Sequence, residues 1–187
     1  LPPLPLAELR PHISAGAKRL LLAGMNIGPE NSTYPATQER FLALYEKNVH
    51  NETRLFDGIA ECLDQLDDLN IPWGIVTNKA LRFAAPLIDG LGLQHRAICL
   101  VAGDTTSHPK PHPAPLLMAA RVAAIQPQYC IYVGDDERDI LAAHAAGMKA
   151  VAATWGYLNN DKPVTDWGAD IIITSPKDIL RIITPSR

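Results

Sequence analysis

From Phe56 onward the chain alternates short apolar runs with amphipathic stretches, and this alternation restricts its fold more than any other feature. The spacing predicts strands at 71–76, 98–101, 129–133, 150–153 and 170–173. The 129–133 run is β-branched and aromatic, too short for a helix and apolar enough for a buried strand. Helical spacing of apolar residues fills the gaps: Gly58 to Asn70, a stretch through Phe83 and Leu87 to Gly90, then 114–124, 137–146 and 177–182. In the first of these, Ile59, Cys62, Leu63, Leu66 and Leu69 fall on one face. Strand and helix in this order build βαβ units with right-handed crossovers, which makes the fold α/β, a doubly wound (Rossmann-like) parallel sheet.

Residues 1–52 have a different character. Leu6, Leu9, Ile13, Ala17, Leu20, Leu21 and Ala23 predict a helix from Leu6 to Met25, interrupted at Pro11. A turn at 28–32 precedes a second helix, Thr37 to Val49, with Phe41, Leu42, Leu44, Tyr45 and Val49 at helical spacing. No strand pattern occurs in this part. Arg10, His12, Ser14 and Lys18 cluster on the first segment, either as an exposed polar face or as contacts to an anionic substrate.

Composition narrows the function classes. A chain of 187 residues, 47% hydrophobic and 20% charged, makes one globular domain, or one with a small insertion. A net charge of -3 offers no basic patch for nucleic acid. No apolar run is long enough to span a membrane, and Leu-Pro-Pro-Leu-Pro-Leu lacks the charged and apolar blocks of a signal peptide. Cys62, Cys99 and Cys130 lack metal or redox spacing; Cys99 and Cys130 lie in apolar runs, so core thiols in a reducing cytoplasmic compartment are expected. The six histidines show no His-Glu-x-x-His pattern, and none is read as a zinc ligand.

Three strand ends carry polar groups, and open α/β sheets bind ligands at the carboxyl ends of their strands. After the 129–133 strand, Gly134 breaks the run and Asp135, Asp136, Glu137 and Asp139 follow. Crowded carboxylates need raised pKa values or a cation, and an all-oxygen cluster suits hard Mg²⁺. Glu137 and Asp136 also fit an ordinary acidic helix start, which leaves Asp135 and Asp139 as the functional pair and the candidate metal ligands. At Thr77-Asn78 the hydroxyl, the amide and the helix-amino-end N–H groups could donate to phosphate; a plain N-cap is the alternative. Lys110, between Pro109 and Pro111, sits on a stiff segment as a fixed point charge for a phosphoryl group, or is incidental to a proline-rich turn. A hydroxyl, a lysine and a carboxylate cluster on successive strand ends form the set that phosphoryl transfer with Mg²⁺ requires.

The order Thr77-Asn78-Lys79, Lys110-Pro111-x-Pro113, Gly134-Asp135-Asp136-x-x-Asp139 resembles the haloacid dehalogenase superfamily, in its phosphoglycolate phosphatase-like branch. Gly103-Asp104-Thr105 and the Ala-Ala-Gly-Met run ending at Met148 are similar to that branch too. Val76 to Lys79 with Arg82-Phe83, Gly156-Tyr157 and Trp167 to Asp170 resemble N-acetylmuramic acid 6-phosphate phosphatases. The resemblance covers the whole chain. It implies a partial helical cap at 1–52 and the doubly wound core at 53–187, lacking its first strand. It also implies a cytoplasmic Mg²⁺-dependent phosphatase acting on a small phosphorylated metabolite, as monomer or homodimer. Thr77 and Asn78 would bind phosphate, Lys110 would neutralise it, Asp135 would ligate Mg²⁺ and Asp139 would support the metal or its waters. The cap would choose the substrate, and Arg10 and Ser14 are the expected contacts to a carboxylate or sugar.

One departure stands out. The family's nucleophile belongs to an Asp-x-Asp-x-Thr motif on an amino-terminal strand, and that motif is not in this sequence. In the resembled fold that strand lies between those ending at Thr77 and Gly134. The expectation is therefore a further strand and helix before Leu1, without which 1–187 alone should fold poorly as that core. Rival readings meet specific objections. A dehalogenase needs no metal; a nucleotide-binding redox domain needs Gly-x-Gly-x-x-Gly; a phospho-receiver places its paired acids at the first strand. A non-catalytic binding relative is the remaining alternative to an enzyme.

Overall fold

The apolar runs become parallel strands, arranged in two separate ladders. The computed structural model describes residues 4–158 and 161–184. Strand β1 (Ile75–Val76) pairs with β2 (Leu100–Val101). Strands β3 (Ile131–Gly134), β4 (Lys149–Ala153) and β5 (Ile171–Ile173) form the second ladder in that order, all parallel. β1 is shorter than the predicted 71–76 because Pro72 has no N–H to give a ladder and β1 has a partner on one side only. Single bonds still extend its pairing with β2, from Ile98 N to Trp73 O and from Thr77 N to Val101 O, both 2.9 Å. Among the described residues no ladder joins β1 to β3. An apolar cavity of about 370 Å³ lies between them, with Val76 on one side and Ile131, Tyr132 and Val133 on the other.

The helices fall close to their predicted positions. Strand-linking helices are α4 (Ile59–Asp68), α5 (Leu81–Gly90), α6 (Ala114–Ala123), α7 (Glu137–Ala146) and α8 (Lys177–Ile183). In the first part, α1 (Leu6–Leu9) gives way to a 3₁₀ turn (Arg10–Ala15), then α2 (Gly16–Met25) and α3 (Tyr34–Asn48). Pro11 opens the 3₁₀ turn, where its missing N–H costs nothing. Gly147 stops α7 with φ 73, and its N–H caps the carbonyls of Ala143 and His144; that left-handed geometry favours glycine.

The core forms where α7 covers β3 and β4 and α6 packs on α7. Leu116, Ile140, Ala142, Ala143, Ala150 and Ala152 are all fully buried. Burying a side chain the size of Ile140 contributes about 1.5–3 kcal/mol, and the alanines of α7 let it lie close to the strands. Cys62 is buried, whereas Cys99 and Cys130 are half-buried on the wall of the apolar cavity. Burial pushes all three thiols up, so none is a ready nucleophile. No helix among the described residues is long and apolar enough to cross a membrane.

Candidate active site

The carboxyl end of β3 is organised by a reciprocal helix cap. Asp136 is the N-cap of α7, and its carboxylate accepts from Arg138 N at 3.0 Å, Nε at 2.7 Å and Nη2 at 2.7 Å. Asp139, three residues on, reaches back: its Oδ2 accepts the N–H groups of Asp135 and Asp136, both at 3.2 Å. This is a capping box with an aspartate in the reach-back position. The chain can come so close only because residue 134 is glycine, since a Cβ there would overlap the Asp139 side chain.

The other oxygen of Asp139 meets Lys110. Lys110 Nζ lies 2.6 Å from Asp139 Oδ1, 2.7 Å from the Tyr132 hydroxyl and 3.2 Å from Val76 O. Three partners take the three ammonium protons, and the lysine is only 8% exposed. Its backbone is braced as well: Asn78 Nδ2 donates to Lys110 O and Lys110 N donates to Asn78 Oδ1, each at 2.9 Å. Asn78 thus uses its side-chain amide to position Lys110. The Thr77 hydroxyl accepts from Lys79 N at 3.1 Å, which leaves its own proton to donate to the cavity it lines.

Asp135 is held differently. Its Oδ2 accepts Tyr157 N at 2.7 Å, and a Cβ on Gly156 would overlap it. No described residue takes Oδ1. Among the described residues no three His, Cys, Asp or Glu side chains converge to cage a metal ion. Mg²⁺ does not require such a cage; it binds through one or two carboxylates plus waters and substrate phosphate. Asp135 fits that role. Asp139, expected to ligate the metal or support its waters, has its oxygens engaged by Lys110 and by the amides of Asp135 and Asp136, so it also anchors Lys110.

Burial sets the protonation states. It pushes the Tyr132 phenol well above its ordinary value, with the charges of Asp139 and Asp135 adding to the effect, so Tyr132 stays a donor, to Val76 O at 2.9 Å. Burial also pushes Asp139 up, and the Lys110 ammonium pulls it only part of the way back. For Asp136 burial acts in the same sense, but the Arg138 hydrogen bonds and charge outweigh it and hold the carboxyl below its usual range.

A cavity of about 540 Å³ opens above these groups. Leu20 of α2 with Phe41 and Tyr45 of α3 face Thr77, Lys110 and Asp135 across it. Ser14 is on its wall, but the Ser14 hydroxyl donates to Tyr157 O at 2.8 Å and Ser14 O accepts Arg138 Nη2 at 3.0 Å. Arg10 is exposed and off the cavity wall; Nη2 lies 3.4 Å from Gly156 O and its guanidinium sits 4.9 Å from the Tyr157 ring centroid. Both residues were expected at the substrate. In this structure both clasp the 3₁₀ turn to the 156–157 loop.

Sequence reasoning missed three contributors to this site: Tyr132, Tyr157 and Tyr45. Tyr157 acts through its N–H, which every residue but proline carries, so its identity gives no signal. Tyr132 was readable only as a strand residue, since period two does not say which face meets Lys110.

Fold and site together define a doubly wound α/β enzyme whose polar groups gather at the carboxyl ends of parallel strands. The chain belongs to the haloacid dehalogenase-like hydrolase family, whose model matches residues 12–153. It is 41% identical over 182 residues to a phosphoglycolate phosphatase of Xanthomonas campestris pv. campestris, covering 96% of this chain and 80% of the relative. An N-acetylmuramic acid 6-phosphate phosphatase of Pseudomonas putida is 34% identical over 175 residues, covering 94% and 78%. The crystal structure of a predicted phosphoglycolate phosphatase from Haemophilus somnus 129pt superimposes with a TM-score of 0.85 at 27% identity, covering 98% of this chain and 84% of that one.

Proposed function

We propose that this chain carries the phosphoryl-binding groups of a Mg²⁺-dependent phosphatase for small phosphorylated carboxylic acids, with 2-phosphoglycolate as the first substrate to try. The observation that carries the reading is the Lys110 assembly. A buried ammonium, held by Asp139, Tyr132 and Val76 O on a backbone braced by Asn78, lines the cavity together with Thr77. Such a charge is fixed before substrate arrives, which is what stabilising a phosphoryl transition state requires. Thr77 donates to a phosphoryl oxygen and Lys110 neutralises the charge that builds there. Asp135 would hold Mg²⁺, which would supply positive charge to neutralise phosphoryl oxygens.

The chemistry proposed is double displacement through an aspartyl phosphate. Asp136 and Asp139 each face a cation at 2.6–2.7 Å and are poor nucleophiles, so the attacking carboxylate is not assigned to either. The helical residues up to about 52 serve as the cap, since α2 and α3 supply the roof of the cavity. A second reading, N-acetylmuramic acid 6-phosphate as substrate, draws on the Pseudomonas putida relative and on a cavity that is roomy for glycolate. The test is phosphate release by the full-length protein from 2-phosphoglycolate, N-acetylmuramic acid 6-phosphate and p-nitrophenyl phosphate, with and without Mg²⁺. Metal-independent release, or none from any ester, would overturn the proposal.

A further inference from the structure

We infer that Lys79, held over the cavity by Tyr45, reads a second anionic group on the substrate, a carboxylate, apart from the phosphoryl site. This rests on the phosphatase reading above and adds a residue that the reading does not use.

The argument begins with a charge count. Three cations line the cavity (Lys79, Lys110, Arg138) and three carboxylates do so (Asp135, Asp136, Asp139). Lys110 pairs with Asp139 at 2.6 Å, and Arg138 with Asp136 at 2.7 Å. Among the described residues no ion pair engages Lys79 or Asp135. Asp135 has its use, as the metal ligand. Lys79 is then the one cavity cation whose charge is not already cancelled by a neighbouring carboxylate.

Its surroundings keep that charge available. Lys79 Nζ donates to the Tyr45 hydroxyl at 2.6 Å and lies 4.6 Å from the Tyr45 ring centroid. A phenol and a ring face orient an ammonium without neutralising it. Tyr45 itself is set edge-on against Phe83, with centroids 5.5 Å apart. One hydrogen bond to Tyr45 leaves two ammonium donors unspent. A partly buried, oriented ammonium with spare donors is a carboxylate receptor, since charge-assisted bonds are the strong ones.

Position makes the site specific rather than general. Lys79 N is bonded to the Thr77 hydroxyl, so the lysine starts at the phosphate-binding turn, and its side chain then runs to α3 on the opposite wall. A substrate gripped at Thr77 and Lys110 would present the far end of a short molecule to Lys79. Phosphate and carboxylate on one small compound would bridge the two walls.

The experiment compares 2-phosphoglycolate with 2-hydroxyethyl phosphate, which keeps the phosphate and replaces the carboxylate by a neutral alcohol. Lys79→Met in the full-length protein should lower kcat/KM for 2-phosphoglycolate by about tenfold to a hundredfold and leave 2-hydroxyethyl phosphate nearly unchanged. Lys79→Arg should recover part of the loss, and Tyr45→Phe should show a smaller loss of the same selectivity. Equal losses on both esters would overturn the inference, since a latch or a phosphoryl role does not discriminate between them. Calorimetric titration of both compounds onto wild type and Lys79→Met reads the same contrast without turnover. If wild type hydrolyses neither ester, the phosphatase reading falls, and the titration alone decides: selective loss of 2-phosphoglycolate affinity upholds the carboxylate site, and unchanged affinity removes it.

Discussion

The two walls of the cavity treat charge in opposite ways. On the strand-end wall nearly every charge is cancelled before a ligand arrives: Asp139 by Lys110, Asp136 by Arg138, and Asp135 is steadied by the Tyr157 N–H. On the helical wall Lys79 rests on a phenol and a ring, with Leu20 and Phe41 beside it. The first arrangement is rigid and suits chemistry that must be the same for every ester. The second leaves one cation uncommitted, which suits discrimination among them. Preorganisation and recognition are thus separated in space, each on the wall whose local structure can supply it.

The largest effect should come from the strand-end wall. Asp135→Asn is expected to abolish Mg²⁺-dependent turnover while thermal unfolding without metal stays cooperative; the stabilisation that Mg²⁺ adds to the wild-type melt should vanish with it. Near-normal Mg²⁺-dependent activity in this variant would remove Asp135 from the metal.

Lys110→Ala comes next, with two consequences. Turnover should fall on the order of a hundredfold or more through kcat rather than KM. Stability should fall by about 3–5 kcal/mol, because Asp139 is left buried and unpaired. The double variant Lys110→Ala, Asp139→Asn should regain much of the stability and none of the activity. An effect confined to KM would break the contrast between the walls.

A smaller, pH-dependent effect is expected at Asp136. Its carboxyl is held below its unfolded value of about 3.9. The native state therefore binds fewer protons there than the unfolded chain between the two values. The stabilisation is present above about pH 3.9 and is lost as pH falls through the folded value. Asp136→Asn, which keeps a capping side chain, should cost on the order of 1 kcal/mol at neutral pH. The gap from wild type in denaturant melts should close as the pH drops below about 4. A gap that persists there would mean that the cap geometry matters more than the charge.

The smallest effect separates Arg10 from Lys79. Since Arg10 contacts Gly156 O and the Tyr157 ring rather than the cavity, Arg10→Ala should lower activity on carboxylated and neutral esters alike, within a few-fold. A selective loss on 2-phosphoglycolate would move carboxylate recognition to the 3₁₀ turn and blur the division drawn here.

Much of the architecture is local in origin and was readable without coordinates. The break at Pro11, the stop at Gly147 and the acidic start of α7 each follow from one residue's backbone chemistry acting within a turn of chain. Asp136 as an ordinary helix cap was among these. So was the gathering of Thr77, Lys110 and Asp135, because alternation of strand and helix puts strand ends on one edge of a sheet. What periodicity could not say was how far a ladder runs: β1 is only Ile75–Val76, since strand length depends on neighbours on both sides.

The assignment of partners belonged to the tertiary structure. Asp135 and Asp139 are equivalent acids four residues apart in the sequence, yet one meets an amide at position 157 and the other an ammonium at position 110. Arg10 and Ser14 meet residues 156–157, more than 140 positions away, a pairing that no local pattern in the sequence marks. Lys79 followed Thr77-Asn78 without any distinguishing mark, and only the packing of α3 brings Tyr45 to it across 34 residues. Hydrogen-bond propensity and apolar periodicity act along the chain and survive in the sequence. Which charge neutralises which is decided by distances between elements, and those exist only once the helices have docked on the strands.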